Sequence, residues 1–290
     1  MSDPLPEIHQ VAVVAHPSLA GAITEAEKIA NYLIDHGIQA IHSMLYDEHM
    51  CLRINARDFD LLIALGGDGT MLRAGHLCGP AQMPILGINM GRFGFLMEIR
   101  LDQWREIMPR VLRGDYWLEQ RMMLCAVHYQ EYKAVGEWEV LNEVFVGRGE
   151  TVRPVHLITD VDGRFLTTYV ADGLIAATPT GSTAYALAAG GPILPPELRN
   201  ILLVPIAPHL SIDRAIVLAE GSSVKITIKT DHQAVLSVDG QPPVKLTSGD
   251  YVDIRTSDHT VKFVRFQDPG YFYRNLTPHM YLNPSTGNQR

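Results

Sequence analysis

Across roughly the first hundred residues, apolar positions fall into two alternating textures. Val11 to Ala15 is a short unbroken apolar run, the pattern of a strand buried on both faces. Ala26, Ile29, Ala30 and Leu33 follow at helical spacing, and Gly37 stands where a helix C-terminus would be capped. Ile38 to His42 and Asp60 to Leu65 predict two more strands. A helix is expected from about Gly69 to Leu77, and Pro84 to Ile88 predicts a fourth strand. This βαβ alternation implies an open, mostly parallel sheet with helices on both faces. Leu101, Trp104, Ile107, Met108 and Val111 mark one further amphipathic helix.

Beyond that helix the texture changes. Arg121 to Gln130, Glu137 to Gly147, Pro154 to Asp160 and Arg164 to Val170 are strand-like, with a DVDG turn at 160–163. Val224, Ile226 and Ile228 alternate with Lys225, Thr227 and Lys229, the period of a half-buried strand. Val235 to Val238, Tyr251 to Arg255 and Val261 to Phe266 continue the series. The fold class that follows is an N-terminal α/β domain with a mostly parallel sheet, then a β-rich (α+β) C-terminal domain. Boundaries are set at 1–98 and 99–268. Residues 269–290, rich in Tyr, Pro and Asn, form a tail free to pack back on the first domain.

Composition narrows the class. Of 290 residues, 47% are hydrophobic and 19% charged, an ordinary globular profile. Lys and Arg total 24 against 32 Asp and Glu, a formal charge of −8, which argues against a nucleic-acid or acidic-membrane partner. Cys51, Cys78 and Cys125 lie far apart with no CxxC pair, as suits a reducing compartment, and a four-cysteine zinc site is excluded. The N-terminus does not read as a signal peptide. The uncharged stretch from Gly173 to Pro196 carries too many Gly and Pro residues for a membrane helix, so a cytoplasmic protein is expected.

The strongest chemical signal is the strand Leu61–Leu65 running into Gly66-Gly67-Asp68-Gly69-Thr70 and then a helix. In an open α/β sheet, ligands sit outside the carboxyl ends of the strands. Glycines there let backbone N–H groups approach phosphate oxygens, and the helix N-terminus favours an anion. Asp68 is a lone carboxylate among phosphate-binding amides, a candidate base or a contributor to metal binding. A second segment, Ala171 to Tyr185, runs from a strand through Thr-Pro-Thr-Gly into a short helix. Its small hydroxyl residues suit a nucleotide base, ribose or phosphate, and equally a capped helix start. Asn142 and Glu143 interrupt an apolar strand. Such a pair can hold a ribose diol, although alone it reads rather as an edge-strand feature. No GxGxxG, Walker A loop, HExxH or GxSxG occurs.

Together these residues resemble the bacterial NAD kinase family. The match runs through GGDGT at 66–70, NMGRFGFL at 89–96, LNE at 141–143 and DGLIAATPTGSTAY at 172–185. It continues with GGPI at 190–193, PIAPH at 205–209 and DGQ at 239–241. The resemblance implies phosphoryl transfer from ATP to the adenosine-ribose 2′-hydroxyl of NAD, giving NADP. It implies a divalent metal, Mg²⁺, bound mainly through the ATP phosphates, with no side chain assigned as its ligand. By motif matching, Asp68 is the proton acceptor and Gly66, Gly67, Gly69 and Thr70 line the phosphates. Asn142 and Glu143 hold the dinucleotide, and Asp172 holds a base or amide group. Thr183, Ala184, Tyr185 and Ala188 line the adenosine region, with Arg153 and Gln241 as further dinucleotide contacts. The family also implies a homodimer or homotetramer. Val170 stands where many relatives carry a polar, basic or glycine residue. A lipid kinase of the diacylglycerol type and a non-catalytic NAD(P)-binding sensor remain the alternatives.

Overall fold

The computed structural model describes residues 7–91, 94–274 and 276. Positions 92 and 93 of the NMGRFGFL segment, Phe93 among them, and the tail residues 275 and 277–290 lie outside the described residues. The chain divides into two compact units, Met1–Gln120 together with the segment from Thr260, and Arg121–His259.

The first unit begins as the apolar pattern predicts. Strand β1 (Gln10–Ala15), helix α1 (Ala22–Asp35), β2 (Gln39–Met44), α2 (Glu48–Asn55), β3 (Leu61–Gly66), α3 (Asp68–Ala81) and β4 (Ile85–Asn89) alternate. They build a parallel sheet in the order β2-β1-β3-β4, with Val11 paired to Leu61 and Leu62 to Ile85. The three inner strands are buried on both faces, which is why they read as unbroken apolar runs. Alternate residues Val11, Val13, Leu61, Ile63, Leu86 and Ile88 share one cluster with the Ala26–Leu33 stripe of α1. On the other face Met71 of α3 packs so closely over Gly87 that a Cβ there would lie 2.6 Å from its sulfur. Gly37 takes φ +84° just past α1, a conformation that glycine adopts without strain.

A short strand β5 (Ile99–Arg100) pairs with β4 and leads to α4 (Trp104–Leu112). Trp104, Met108 and Val111 of α4 join the same core as α1, and Tyr32 meets Trp104 edge-on at 5.7 Å. Because this helix closes the first core, the units part after Gln120 and not where the texture changes at residue 98. Phe263 pairs in parallel with Ile85, and Val264 enters the same core, so the chain belongs to the first unit again from Thr260. Of the described tail residues, Tyr271 and Phe272 are buried in that unit.

The second unit holds most of β6 (Trp117–Gln130), then β7 (Lys133–Val140), β8 (Glu143–Arg148), β9 (Val155–Val161), β10 (Arg164–Ala171) and β11 (Gly173–Ala177). A single-turn helix α5 (Tyr185–Ala188) follows. The unit ends with β12 (Ile201–Ile206), β13 (Ile216–Leu218), β14 (Ser223–Lys229), β15 (Ala234–Val238), β16 (Val244–Leu246) and the first part of β17 (Tyr251–Arg265). Strands β10-β9-β14-β17 run antiparallel in one sheet, and β13-β12-β11-β8-β15-β16 form another. Their inner faces share a core of Val155, Leu157, Val224, Ile226, Leu174, Ala176, Leu203 and Leu236, among others, the arrangement of two packed sheets. The DVDG segment is the predicted tight hairpin turn, with Asp162 at φ +51° and Gly163 at φ +72°. Two expectations change. Glu137 to Gly147 is not one strand, because the chain leaves the sheet between Val140 and Glu143. Tyr251 to Arg255 and Val261 to Phe266 are parts of the single strand β17, whose intervening Thr256–Thr260 stays extended.

Candidate functional site

In the first unit the winding of the sheet reverses between β1 and β3, and ligands of open α/β sheets bind at such a switch point. The GGDGT segment sits there. Gly66 ends β3, and a Cβ on it would overlap Thr70 Oγ1, so only glycine lets α3 start directly off the strand. Thr70 is buried and accepts from the Gly67 N–H at 3.3 Å. Among the described residues nothing lies within 4 Å of where Cβ atoms would stand on Gly67 and Gly69, and Gly69 is exposed. The N-terminus of this 14-residue helix is therefore open to an anion.

Asp68 is the first residue of α3, and its carboxylate is engaged. Oδ2 accepts from the Phe95 N–H at 2.8 Å and Oδ1 from the Leu96 N–H at 3.2 Å. The amides around it thus come from the NMGRFGFL segment and not only from the glycine turn. A Cβ on Gly94 would overlap this carboxyl group, so the segment lies directly against it. A carboxylate oxygen offers two acceptor positions, the chemistry that receiving a hydroxyl donor requires. Among the described residues no three His, Cys, Asp or Glu side chains gather as a metal site.

In the second unit the break between β7 and β8 has a specific cause. Asp239, itself at φ +48°, accepts from the backbone N–H groups of Leu141 at 2.7 Å, Asn142 at 2.8 Å and Glu143 at 2.8 Å. Three amides pointing at one carboxylate cannot also serve a sheet ladder. Asn142 and Glu143 therefore stand at a corner and not inside a strand. Thr178 completes the corner, donating from Oγ1 to Leu141 O at 2.6 Å and accepting from the Gly181 N–H at 3.1 Å. A Cβ on Gly181 would overlap the backbone of Asn142. Gly181→Ala is expected to displace Asn142 and to lower stability by about 1–3 kcal/mol, which thermal unfolding checks.

The hydroxyl residues of TPTGST are less available than the sequence suggests. Thr178, Thr180 and Ser182 are buried. Ser182 Oγ donates to Pro179 O at 2.6 Å and accepts from the Leu194 N–H at 2.9 Å, while Thr180 Oγ1 accepts from Arg121 at 3.2 Å. They shape the turn. Thr183 is half-buried with its hydroxyl on Thr180 O at 3.1 Å, and Tyr185 and Ala188 are exposed. The Tyr185 ring lies 5.9 Å from that of Phe145.

Glu143 carries a strongly perturbed carboxyl group. It is 8% exposed, its Oε2 has no hydrogen-bond partner among the described residues, and its pKa is pushed up to about 7. Burial is the main cause and the Asp239 carboxylate adds to it, while the Tyr185 backbone N–H pulls the other way.

The remaining candidates are more scattered. Asp172 is paired with Arg148, Nε to Oδ1 at 3.1 Å, a partner that sequence reading did not find. Gln241 accepts at its backbone carbonyl from Ser237 Oγ at 3.0 Å. Arg153 is exposed and lines a groove with His156, Val170, Lys229 and His232, and neither Glu143 nor Tyr185 is among that groove's lining residues. Asp239 is not among the site residues expected from the sequence, although it stands in the DGQ motif at 239–241.

Comparison with known proteins gives a consistent picture. Residues 11–116 match the family described as ATP-NAD kinase N-terminal domain, and residues 141–266 match ATP-NAD kinase C-terminal domain. The chain is 38% identical over 278 residues to an NAD kinase of Citrifermentans bemidjiense, covering 91% of this chain and 95% of that protein. Its fold is similar to that of yeast NADH kinase complexed with NADH, with TM-score 0.84 and 25% identity, covering 98% of this chain and 91% of that one. An NAD kinase from Archaeoglobus fulgidus in complex with ATP is similar with TM-score 0.74 and 25% identity, covering 93% and 98%.

Proposed function

The chain belongs to the NAD kinase family, and from that premise we propose how its own residues divide the work. The reaction moves the γ-phosphoryl of ATP to the 2′-hydroxyl of the adenosine ribose of NAD, giving NADP. Its transition state is loose, so a protein contributes mainly by positioning and by placing donors around the transferred group. In this reading the open start of α3, with Gly66, Gly67, Gly69 and Thr70, receives the ATP phosphates. Asp68 orients the 2′-hydroxyl and takes its proton late. The Phe95 and Leu96 amides hold the carboxylate in place by donating to both of its oxygens.

Asn142 and Glu143 hold the dinucleotide. The observation that carries this assignment is the buried Oε2 of Glu143, which has no partner among the described residues. A buried acceptor without a donor is unfavourable, and a ribose hydroxyl supplies the donor it lacks. Asp172, Thr183, Ala184, Tyr185 and Ala188 contact the adenosine region, with Arg153 and Gln241 as outlying contacts. A divalent cation, Mg²⁺, carried by the ATP phosphates would supply charge neutralisation there. Among the described residues no cluster is gathered to ligate it. The same reading makes the protein cytoplasmic and a homodimer or homotetramer. No helix of the described residues is long and apolar enough to cross a membrane.

Calorimetric titration of NAD into the wild type and Asn142→Ala tests the dinucleotide assignment. Affinity is expected to fall roughly tenfold, the effect of about one lost hydrogen bond. Unchanged affinity in a folded variant contradicts it.

A further inference from the structure

Asp68 owes its orientation to two backbone amides that lie in a segment without helix or strand hydrogen bonds of its own, residues 94–96. Something must hold those amides. Leu96 gives its N–H to Asp68 Oδ1 at 3.2 Å and its carbonyl accepts from Arg265 Nη1 at 2.9 Å. We propose that Arg265 is a positioning residue for Asp68, acting through the Leu96 peptide.

The arginine is built for a fixed geometry. It is 2% exposed, and Nε donates to Glu119 Oε2 at 2.9 Å with Nη2 2.8 Å from the same oxygen. Tyr271 OH donates to the Glu119 carboxylate at 3.0–3.1 Å. The guanidinium also lies 5.1 Å from the ring centroids of both Phe263 and Tyr271. The planar fork turns Nε and Nη2 to the Glu119 carboxylate and Nη1 to the Leu96 carbonyl, so one rigid group fixes both. Beside it, Glu98 accepts from the Phe266 N–H at 3.2 Å and the Gln267 N–H at 2.6 Å, fixing the end of the same segment. Packing alone does not require a charge here, since apolar residues of similar volume fill such interiors at least as well as buried ion pairs. What an apolar residue cannot do is grip a carbonyl. Lysine cannot serve both Glu119 and Leu96 in this geometry, being a point charge where the site uses a fork.

The inference rests on Asp68 as the proton acceptor, and the experiment separates the two. Arg265→Lys, Tyr271→Phe and Asp68→Asn are compared with the wild type in steady-state NADP formation, with thermal unfolding to establish that each is folded. Arg265→Lys is expected to lower kcat about tenfold or more while KM for NAD and for ATP stays within roughly twofold, since slight misplacement of a reacting group acts on the chemical step. Tyr271→Phe, a milder change that leaves the fork in place, is expected to shift kcat in the same direction by roughly twofold to fivefold. If the variants are folded and kcat is that of the wild type while Asp68→Asn is inactive, Arg265 is a structural ion pair only and the proposal falls. Equal losses in kcat and affinity overturn it too, because they signal general damage. Near-normal turnover in Asp68→Asn removes the reading beneath it.

Discussion

Asp68→Asn is expected to lower kcat by roughly 10²–10⁴-fold, the usual contribution of a positioned base, with KM for NAD and ATP little changed. The two roles of this side chain make the experiment informative. Asparagine keeps one carbonyl oxygen to accept from Phe95 or Leu96, but its amino group faces the other amide as a second donor. Losing one hydrogen bond to a charged group costs about 1.5–3 kcal/mol, so unfolding should shift measurably without loss of the fold. A catalytic role predicts a kcat loss far larger than any loss in substrate affinity. A purely structural role predicts the reverse, a lowered unfolding temperature with turnover largely preserved.

The second large effect is electrostatic. The ordinary value for the Glu143 carboxyl is 4.5, and in the folded chain it stands at about 7, raised by burial and by Asp239. A carboxyl raised on folding binds its proton more tightly in the native state. Its contribution is therefore fully present below pH 4.5 and is lost as the pH rises through about 7. The difference is on the order of 3 kcal/mol between the two ends of that window. Glu143→Gln has no proton to lose, so urea unfolding at pH 5 and pH 8 should find it gaining on the wild type as the pH rises. NAD should narrow the gap, because a ribose hydroxyl donating to Oε2 favours the ionised carboxylate. Parallel stability curves for the two proteins contradict the assignment.

The parallel sheet of the first unit was legible because its strands are buried on both faces and carry no alternation to confuse them. Helix α2 was not. Only Met50 and Ile54 of its eight residues are buried, too few for a stripe, and its start is marked by Asp47 accepting from the Met50 N–H at 2.8 Å. In the second unit the alternating strands β9, β10 and β14 were read correctly, and β12 and β13 passed unnoticed. The site was legible where motif and geometry coincide, as at Gly66, whose missing Cβ makes room for Thr70. It was not legible where partners lie far apart in the chain. Asp239 and Asn142 are separated by 97 positions and Arg265 and Leu96 by 169, and no local pattern links them. The hydroxyls of TPTGST read equally as ligand contacts and as a capped helix start, and folding uses Thr178 and Ser182 to build the turn before Thr183 to Tyr185.

The most direct measurement is NADP formation from NAD and Mg-ATP by the purified protein, read through an NADP-specific dehydrogenase, with phosphorylation of diacylglycerol vesicles assayed alongside. NADP that accumulates with ATP consumption, and no lipid product, is the result predicted for a dinucleotide kinase. Tight NAD binding without NADP from any phosphate donor would contradict it.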